Sequence, residues 1–234
     1  MNEFTFLGAL IIGVPMATLV LLVLFNTKLP RWGDWLATAT MGFSLLLSIY
    51  LFYEAWTAPA PLNATWSFEW ISLGGAHAVS TGLKIDNLTT VMLVVVTLIS
   101  FLVLLFSMGY MHGDARYGRY YAYLVLFTIS MLGLVLTDNL LHLYVFWEIM
   151  GLSSYLLIGH YFEKDSANYA AKKAFIVTRI GDIGMFIGIM IIYWKTGTFR
   201  YDEIFQAVAD QKLYGLWQFW AGIGVFMGAV GKSA

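Results

Sequence analysis

The stretch Leu140-Leu-His-Leu-Tyr-Val-Phe-Trp147-Glu148-Ile-Met-Gly-Leu-Ser-Ser-Tyr155-Leu-Leu-Ile-Gly-His-Tyr161 decides how this chain is read. It is apolar almost throughout and long enough to cross a bilayer as a helix. At ~1.5 Å per residue, Glu148 falls roughly 12 Å in from Leu140, near the middle of a ~30 Å hydrocarbon core. A carboxylate at that depth costs on the order of 2.5–3.5 kcal/mol even on the lenient insertion scale. A structural hydrogen bond to a neighbouring helix is the plainer explanation. An ion or proton pathway with a partner charge nearby is the functional one, and other charges of both signs inside the apolar runs favour it.

Working outward, the whole chain has the same character. Its 234 residues are 60% hydrophobic and 12% charged, about half the charged share of a soluble domain, ~25%. The class is a polytopic membrane protein. A formal net charge of -1 provides no basic field for nucleic acid. With no cysteine and only four histidines, thiolate-held clusters are excluded, and a haem or zinc centre has few ligands to draw on. The first apolar run follows Glu3 rather than a basic segment and reads as a retained helix, not a cleaved signal.

Seven spans are expected: Phe4 to Phe25, Trp35 to Tyr53, Leu88 to Met111, Tyr120 to Thr137, Leu140 to Tyr161, about Ala170 to Trp194, and a last one from near Tyr214 that is truncated where the chain stops. That stop, inside an apolar run, reads as the N-terminal part of a longer protein. Between the second and third spans, Trp66, Phe68 and Trp70 alternate with Ser67 and Glu69. Gly74-Gly75 offers a turn, and Leu83 and Ile85 resume the alternation, predicting a small extramembrane β-hairpin. After the sixth span, Tyr201, Ile204, Phe205 and Val208 share a face opposite Asp202, Glu203 and Asp210, predicting an interfacial amphipathic helix. With the N-terminus outside, seven loop Lys and Arg face inward (Lys28, Arg31, Arg116, Arg119, Lys164, Lys172, Lys173) and four face outward (Lys84, Lys195, Arg200, Lys212), which favours that orientation.

The sixth span holds Arg179 and Asp182, spaced i, i+3 so that they can pair on one face, with Lys172 and Lys173 upstream. Snorkelling lysines and a self-neutralising pair would be the bland account. Lys232 lies in the last span among Gly222, Gly224, Gly228 and Gly231, where the helix is expected to weaken or break. Gly184-xxx-Gly188 and Gly224-xxx-Gly228 read as helix-packing contacts. Gly231-Lys232-Ser233 mimics the end of a phosphate loop, but Phe226 stands where that loop needs glycine. Tyr144, Glu148, Gly151 and Tyr155 fall on one face of the fifth span. Buried alone, Glu148 would tend to protonate; beside a lysine it would ionise, so a mobile partner converts distance into proton affinity.

Four segments together carry a family resemblance: Asp114-Ala-Arg-Tyr-Gly-Arg-Tyr-Tyr-Ala-Tyr-Leu124, Ser130-Met-Leu-Gly-Leu-Val-Leu-Thr-Asp-Asn139, Phe146-Trp-Glu-Ile-Met-Gly-Leu-Ser-Ser-Tyr-Leu-Leu-Ile-Gly159 and Lys173-Ala-Phe-Ile-Val-Thr-Arg-Ile-Gly-Asp-Ile-Gly184, joined by Lys84-Ile-Asp-Asn-Leu-Thr89 and Ala229-Val-Gly-Lys-Ser-Ala234. They resemble the antiporter-like subunit L (subunit 5) family of proton-pumping NADH:quinone oxidoreductase, respiratory complex I. The resemblance implies an all-α inverted-repeat antiporter-like fold. Residues 1–111 would hold the first three helices and the outer hairpin, and residues 112–234 most of the first repeat.

The same resemblance implies a proton-translocating role in which Glu148 tunes Lys232. Arg179 and Asp182 would support the pair, with Lys173, Tyr144 and Tyr155 as further support. No cofactor belongs to this chain; NADH, FMN, iron–sulfur clusters and quinone belong to partner subunits. Partners would be other membrane-arm subunits, especially a neighbouring antiporter-like one, with the bilayer and protons. The membrane would be an energy-transducing one, a bacterial inner membrane or its organelle equivalent, with the N-terminus on the positive side. The large subunit of a multisubunit sodium/proton antiporter shares the Glu and Lys and is the alternative. A structural membrane scaffold would explain the helices but not opposed charges at mid-depth.

Overall fold

The computed structural model describes residues 2–25, 28–72 and 78–233. Its helices are α1 (Glu3–Phe25), α2 (Asp34–Thr57), α3 (Asn87–Tyr110), α4 (Tyr117–Leu136), α5 (Leu140–Ile158), α6 (Asp165–Thr196), α7 (Tyr201–Ala209) and α8 (Gly215–Lys232), with strands β1 (Asn63–Ser72) and β2 (Ala78–Asp86) between α2 and α3. Among the described residues, six helical segments are long and apolar enough to cross a membrane, the last ending at Thr196. Large apolar side chains point outward along them: Val23, Leu46, Phe106 and Ile180 are each more than three-fifths exposed. A helix satisfies its own backbone and can bear such a surface only where lipid covers it. The protein is therefore an all-α integral membrane protein with a small β-hairpin.

The chain divides into two compact units, residues 1–66 with 83–136, and residues 67–82 with 137–234. In the first unit, α1 to α4 pack as a bundle. Leu22, Met41, Leu104, Tyr121 and Val125 form one buried cluster, and Ile11, Leu51, Ile85, Leu93 and Leu132 another. Polar groups inside it are satisfied locally, as hydrocarbon demands. The Ser44 hydroxyl donates to Ile11 O (3.0 Å) and the Tyr121 hydroxyl to Leu104 O (3.0 Å). Asp34, fully buried, accepts from the Tyr117 hydroxyl (2.9 Å) and pairs with Arg31 (3.2 Å). Asp86 caps α3 by accepting from Thr89 N (2.8 Å).

In the second unit, Asn139 caps α5, accepting from His142 N (2.8 Å). An antiparallel bridge joins Asn139 to Arg200, with Leu140 N donating to Phe199 O (2.9 Å) and Tyr201 N to Asp138 O (3.2 Å). The start of α5 is thereby tied to the start of α7. The hairpin strands join this point, since the Asn139 amide donates to Ser80 O (2.9 Å) and Arg200 to the Ser67 hydroxyl (3.0 Å). The predicted Gly74-Gly75 turn lies outside the described residues. The alternation of Trp66, Phe68 and Trp70 does not bury one face: Phe68 and Trp70 remain about half exposed. As predicted, α7 is a separate short helix, with Ile204 and Ala207 buried and Phe205 exposed.

The helices α6 and α8 approach backbone to backbone. A Cβ added at Gly188 would lie 2.6 Å from Val225 N, one at Gly224 2.7 Å from Gly188 Cα, and one at Gly181 2.8 Å from Gly231 Cα. Hydrocarbon supplies no hydrophobic drive between helices, so close backbone packing of this kind provides the attraction. No weakening of the last helix is seen before Lys232. It runs without interruption from Gly215 to Lys232, and its glycines at 224, 228 and 231 are spent on contact with α6.

Candidate functional site

The charges of the second unit meet where α5, α6 and α8 pack. Glu148 on α5 is ion-paired with Arg179 on α6 through its Oε2. Its Oε1 is buried and has no hydrogen-bond partner. Asp182, almost fully buried, accepts at Oδ1 from the indole N–H of Trp147 (2.7 Å), while its Oδ2 lies 4.0 Å from Nζ of Lys232. The Lys232 ammonium also donates to Trp147 O (3.3 Å) and stands 5.5 Å from the centre of the Trp147 ring. The i, i+3 pair that spacing allows between Arg179 and Asp182 does not form. Each takes a partner from another helix: Arg179 holds Glu148, and Asp182 holds Trp147 and faces Lys232.

Packing explains the exchange. Residues 147 and 148 are neighbours about 100° apart on α5, so one side chain turns toward Asp182 and the other toward Arg179. A tryptophan at this depth needs an acceptor for its N–H, and a buried carboxylate needs donors. Arg179 is further held by its position 4.8 Å above the Phe175 ring. Glu148 and Lys232 thus converge on the same two turns without an ion pair between them.

The supporting residues divide. Tyr144, one turn before Glu148, packs on Phe186 with ring centres 5.4 Å apart, and Tyr155 packs on Phe175 at 5.4 Å. Lys173 is exposed on the early turns of α6, and no ion pair joins it to the four charges. Two contributions were missed by sequence reading. Trp147 organises both Asp182 and Lys232, and the signal available was a tryptophan adjoining a mid-membrane carboxylate. The other is the junction of Asp138, Asn139 and Arg200, whose signal was the polar Thr137-Asp138-Asn139 step between two apolar runs. Burial pushes the Asp138 carboxyl up from its ordinary range, against the pull of the Asn139 amide and Arg200. Burial likewise raises the Tyr201 phenol. Among the described residues, no group of three or more His, Asp or Glu could hold a metal ion.

Six apolar helices with a partly buried, interhelical set of opposed charges have the form of an antiporter-like membrane subunit. Residues 137–234 match the family described as NADH:quinone oxidoreductase/Mrp antiporter, TM, and residues 70–121 match NADH-Ubiquinone oxidoreductase (complex I), chain 5 N-terminus. The chain is 40% identical to NAD(P)H-quinone oxidoreductase subunit 5, chloroplastic, of Mesostigma viride, over 99% of this chain and 35% of that protein. It is 36% identical to NAD(P)H-quinone oxidoreductase chain 5 of Picosynechococcus, over 97% of this chain and 34% of that protein. It spans about a third of the length of these relatives. Among solved structures, the Mrp complex from Dietzia sp. matches with a TM-score of 0.77 at 26% identity, covering 100% of this chain and 24% of that one. An archaeal membrane-bound sulfane sulfur reductase shares the fold, with a TM-score of 0.73 at 20% identity, over 96% of this chain and 43% of that one. The chain is a homologue of the subunit-L type in the antiporter-like family of complex I and the Mrp antiporters.

Proposed function

We propose that this chain is a proton-translocating membrane subunit of an NADH:quinone oxidoreductase, coupling quinone reduction to proton pumping through Glu148 and Lys232. The observation that carries the reading is the buried Oε1 of Glu148, which has no hydrogen-bond partner, in a cluster whose ammonium is held by Trp147 O and faces Asp182. A buried carboxylate oxygen without a donor is costly unless a donor arrives in another state. Lys232 is the cationic donor within the same cluster, alongside the Tyr144 hydroxyl, which also interacts with Glu148. Arg179 holds Glu148 while Lys232 is at Asp182, so a charge displaced along α6 would release Glu148 to the lysine and change its proton affinity.

In this reading α8 is the seventh membrane helix. Residues 1–111 are the leading helices with the outer hairpin, and residues 112–234 are most of one antiporter-like repeat. The N-terminus faces the positive side of an energy-transducing membrane. The partners are other membrane-arm subunits, notably a second antiporter-like one. NADH, FMN, iron–sulfur clusters and quinone are bound by those partner subunits. The similarity of the relatives' quinone oxidoreductase subunits over nearly the whole chain supports this assignment.

A second reading, a large subunit of a multisubunit sodium/proton antiporter, is favoured by the match to the Mrp complex. The two separate in membrane vesicles from the host. Proton uptake driven by NADH oxidation, abolished by Lys232→Met, supports the first. Proton flux that requires a sodium gradient and ignores NADH supports the second.

A further inference from the structure

Gly151 lies one turn beyond Trp147 and is one of only two buried residues of α5, the other being Ser153. A Cβ built on it would stand 2.5 Å from Nζ of Lys232 and 3.9 Å from Cε, and nothing else lies within 4 Å. This differs from Gly181, Gly188, Gly224 and Gly231 of the α6–α8 contact, where the obstructing atoms are backbone, and from Gly184 and Gly228, where they belong to methionine side chains packed in that contact. It also differs from the glycines with positive φ, which among the described residues are Gly33, Gly113, Gly197 and Gly215. Gly151 is in helix interior, where alanine is the better former. Neither backbone conformation nor helix packing therefore calls for glycine here. The only thing its missing side chain admits is the lysine ammonium.

The contacts of that ammonium share the spot. Its acceptor, Trp147 O, is the carbonyl that the amide of residue 151 reaches in an α-helix, so Nζ sits directly over the turn from 147 to 151. Asp182 closes the other side at 4.0 Å and the Trp147 ring a third. We propose that Gly151 is a positioning residue: it forms the floor of a dock, built from Trp147 and Asp182, that holds the Lys232 ammonium apart from Glu148. The inference rests on the proton-pumping reading above and adds to it a seat that the lysine occupies between encounters with Glu148.

A methyl group at 151 must displace Nζ, the free end of a flexible side chain, so the fold can absorb it while the dock cannot. The charged groups facing Nζ are Glu148 from α5 and Asp182 and Arg179 from α6. Displacement changes its distance to all three. The test uses the assembled host complex, with Gly151→Ala in this subunit and Gly222→Ala as control, since a Cβ at Gly222 meets nothing within 4 Å. Assembly is followed on native gels and proton uptake is normalised to electron transfer across a pH series. The expected result is normal assembly in both variants. Gly151→Ala should lose at least about fivefold in protons per electron, and the pH at half-maximal pumping should move by about half a unit or more, with no change in Gly222→Ala. Normal pumping and pH profile in Gly151→Ala, in a complex that Lys232→Met inactivates, would overturn the dock and leave the pumping role standing. Failure of Gly151→Ala to assemble, with Gly222→Ala intact, would make the glycine a packing residue and overturn it too. Normal pumping in both Gly151→Ala and Lys232→Met would remove the dock together with the reading beneath it.

Discussion

Arg179 on α6 is ion-paired with Glu148 on α5, and that partnership leaves Asp182, one turn further along α6, to Trp147 and Lys232. Two acids and two bases sit in one partly buried cluster, yet Glu148 and Lys232 are not joined. Every charge except one oxygen of Glu148 has somewhere to rest.

The lipid-facing topology has a direct consequence for labelling. The chain contains no cysteine, so single cysteines report without background. Ala60→Cys, in the exposed connection after α2, should react with an impermeant maleimide from outside. Ser166→Cys, exposed at the start of α6, should react from inside. Reaction of both from the same side would overturn the orientation.

The α6–α8 contact depends on absent side chains. Gly188→Ala places a methyl group within 2.6 Å of Val225 N and 2.7 Å of Ala221 O, neither of which can move aside as a side chain would. The expected loss is about 1–3 kcal/mol, as for other overpacked sites, read as earlier thermal unfolding in detergent. Gly222→Ala should be neutral or slightly stabilising. Equal stability of the two would mean that the close approach carries no energy.

Asp138 gives a pH dependence. Its folded carboxyl is raised by burial, so the folded state binds its proton more tightly than the unfolded state. That contribution to stability is fully present below the ordinary carboxyl range and is lost as pH rises through the raised value. Asp138→Asn keeps an acceptor for the Asn139 amide (2.9 Å) and should flatten the stability–pH curve in that window while leaving neutral stability unchanged or higher. An unaltered curve would contradict the assignment.

Six of the seven expected spans were legible because length and hydropathy alone specify a membrane helix, and so were the hairpin and a short helix at α7, though Phe205 of its expected apolar face is exposed. The start of α6 was not. Asp165, Lys172 and Lys173 interrupt the apolar pattern there, but the backbone continues its hydrogen bonds regardless, and the helix reaches back to Asp165. The glycines of the last helix were ambiguous for a physical reason: absence of a side chain both weakens a helix and admits a neighbour, and only the position of α6 decides between them. Partner choice was hidden in the same way. Spacing shows what two residues on one helix can do, whereas Arg179 and Asp182 each found a better partner across an interface that no spacing encodes.

If the proposed coupling of Glu148 and Lys232 is the pathway, their substitutions should not add. Glu148→Gln with Lys232→Met should pump no worse than Lys232→Met alone. A double variant markedly worse than either single one would indicate two independent pathways.

The most direct measurement is proton uptake per electron in the assembled complex carrying Glu148→Gln. The amide keeps the shape of the side chain and one acceptor oxygen, and it removes the charge. Loss of a charge-assisted contact worth about 1.5–3 kcal/mol predicts a fall of roughly tenfold or more in pumping, with assembly intact and Glu148→Asp retaining part of the activity. Coupled pumping at the normal ratio in correctly assembled Glu148→Gln would contradict the account and leave Glu148 as a structural partner of Arg179.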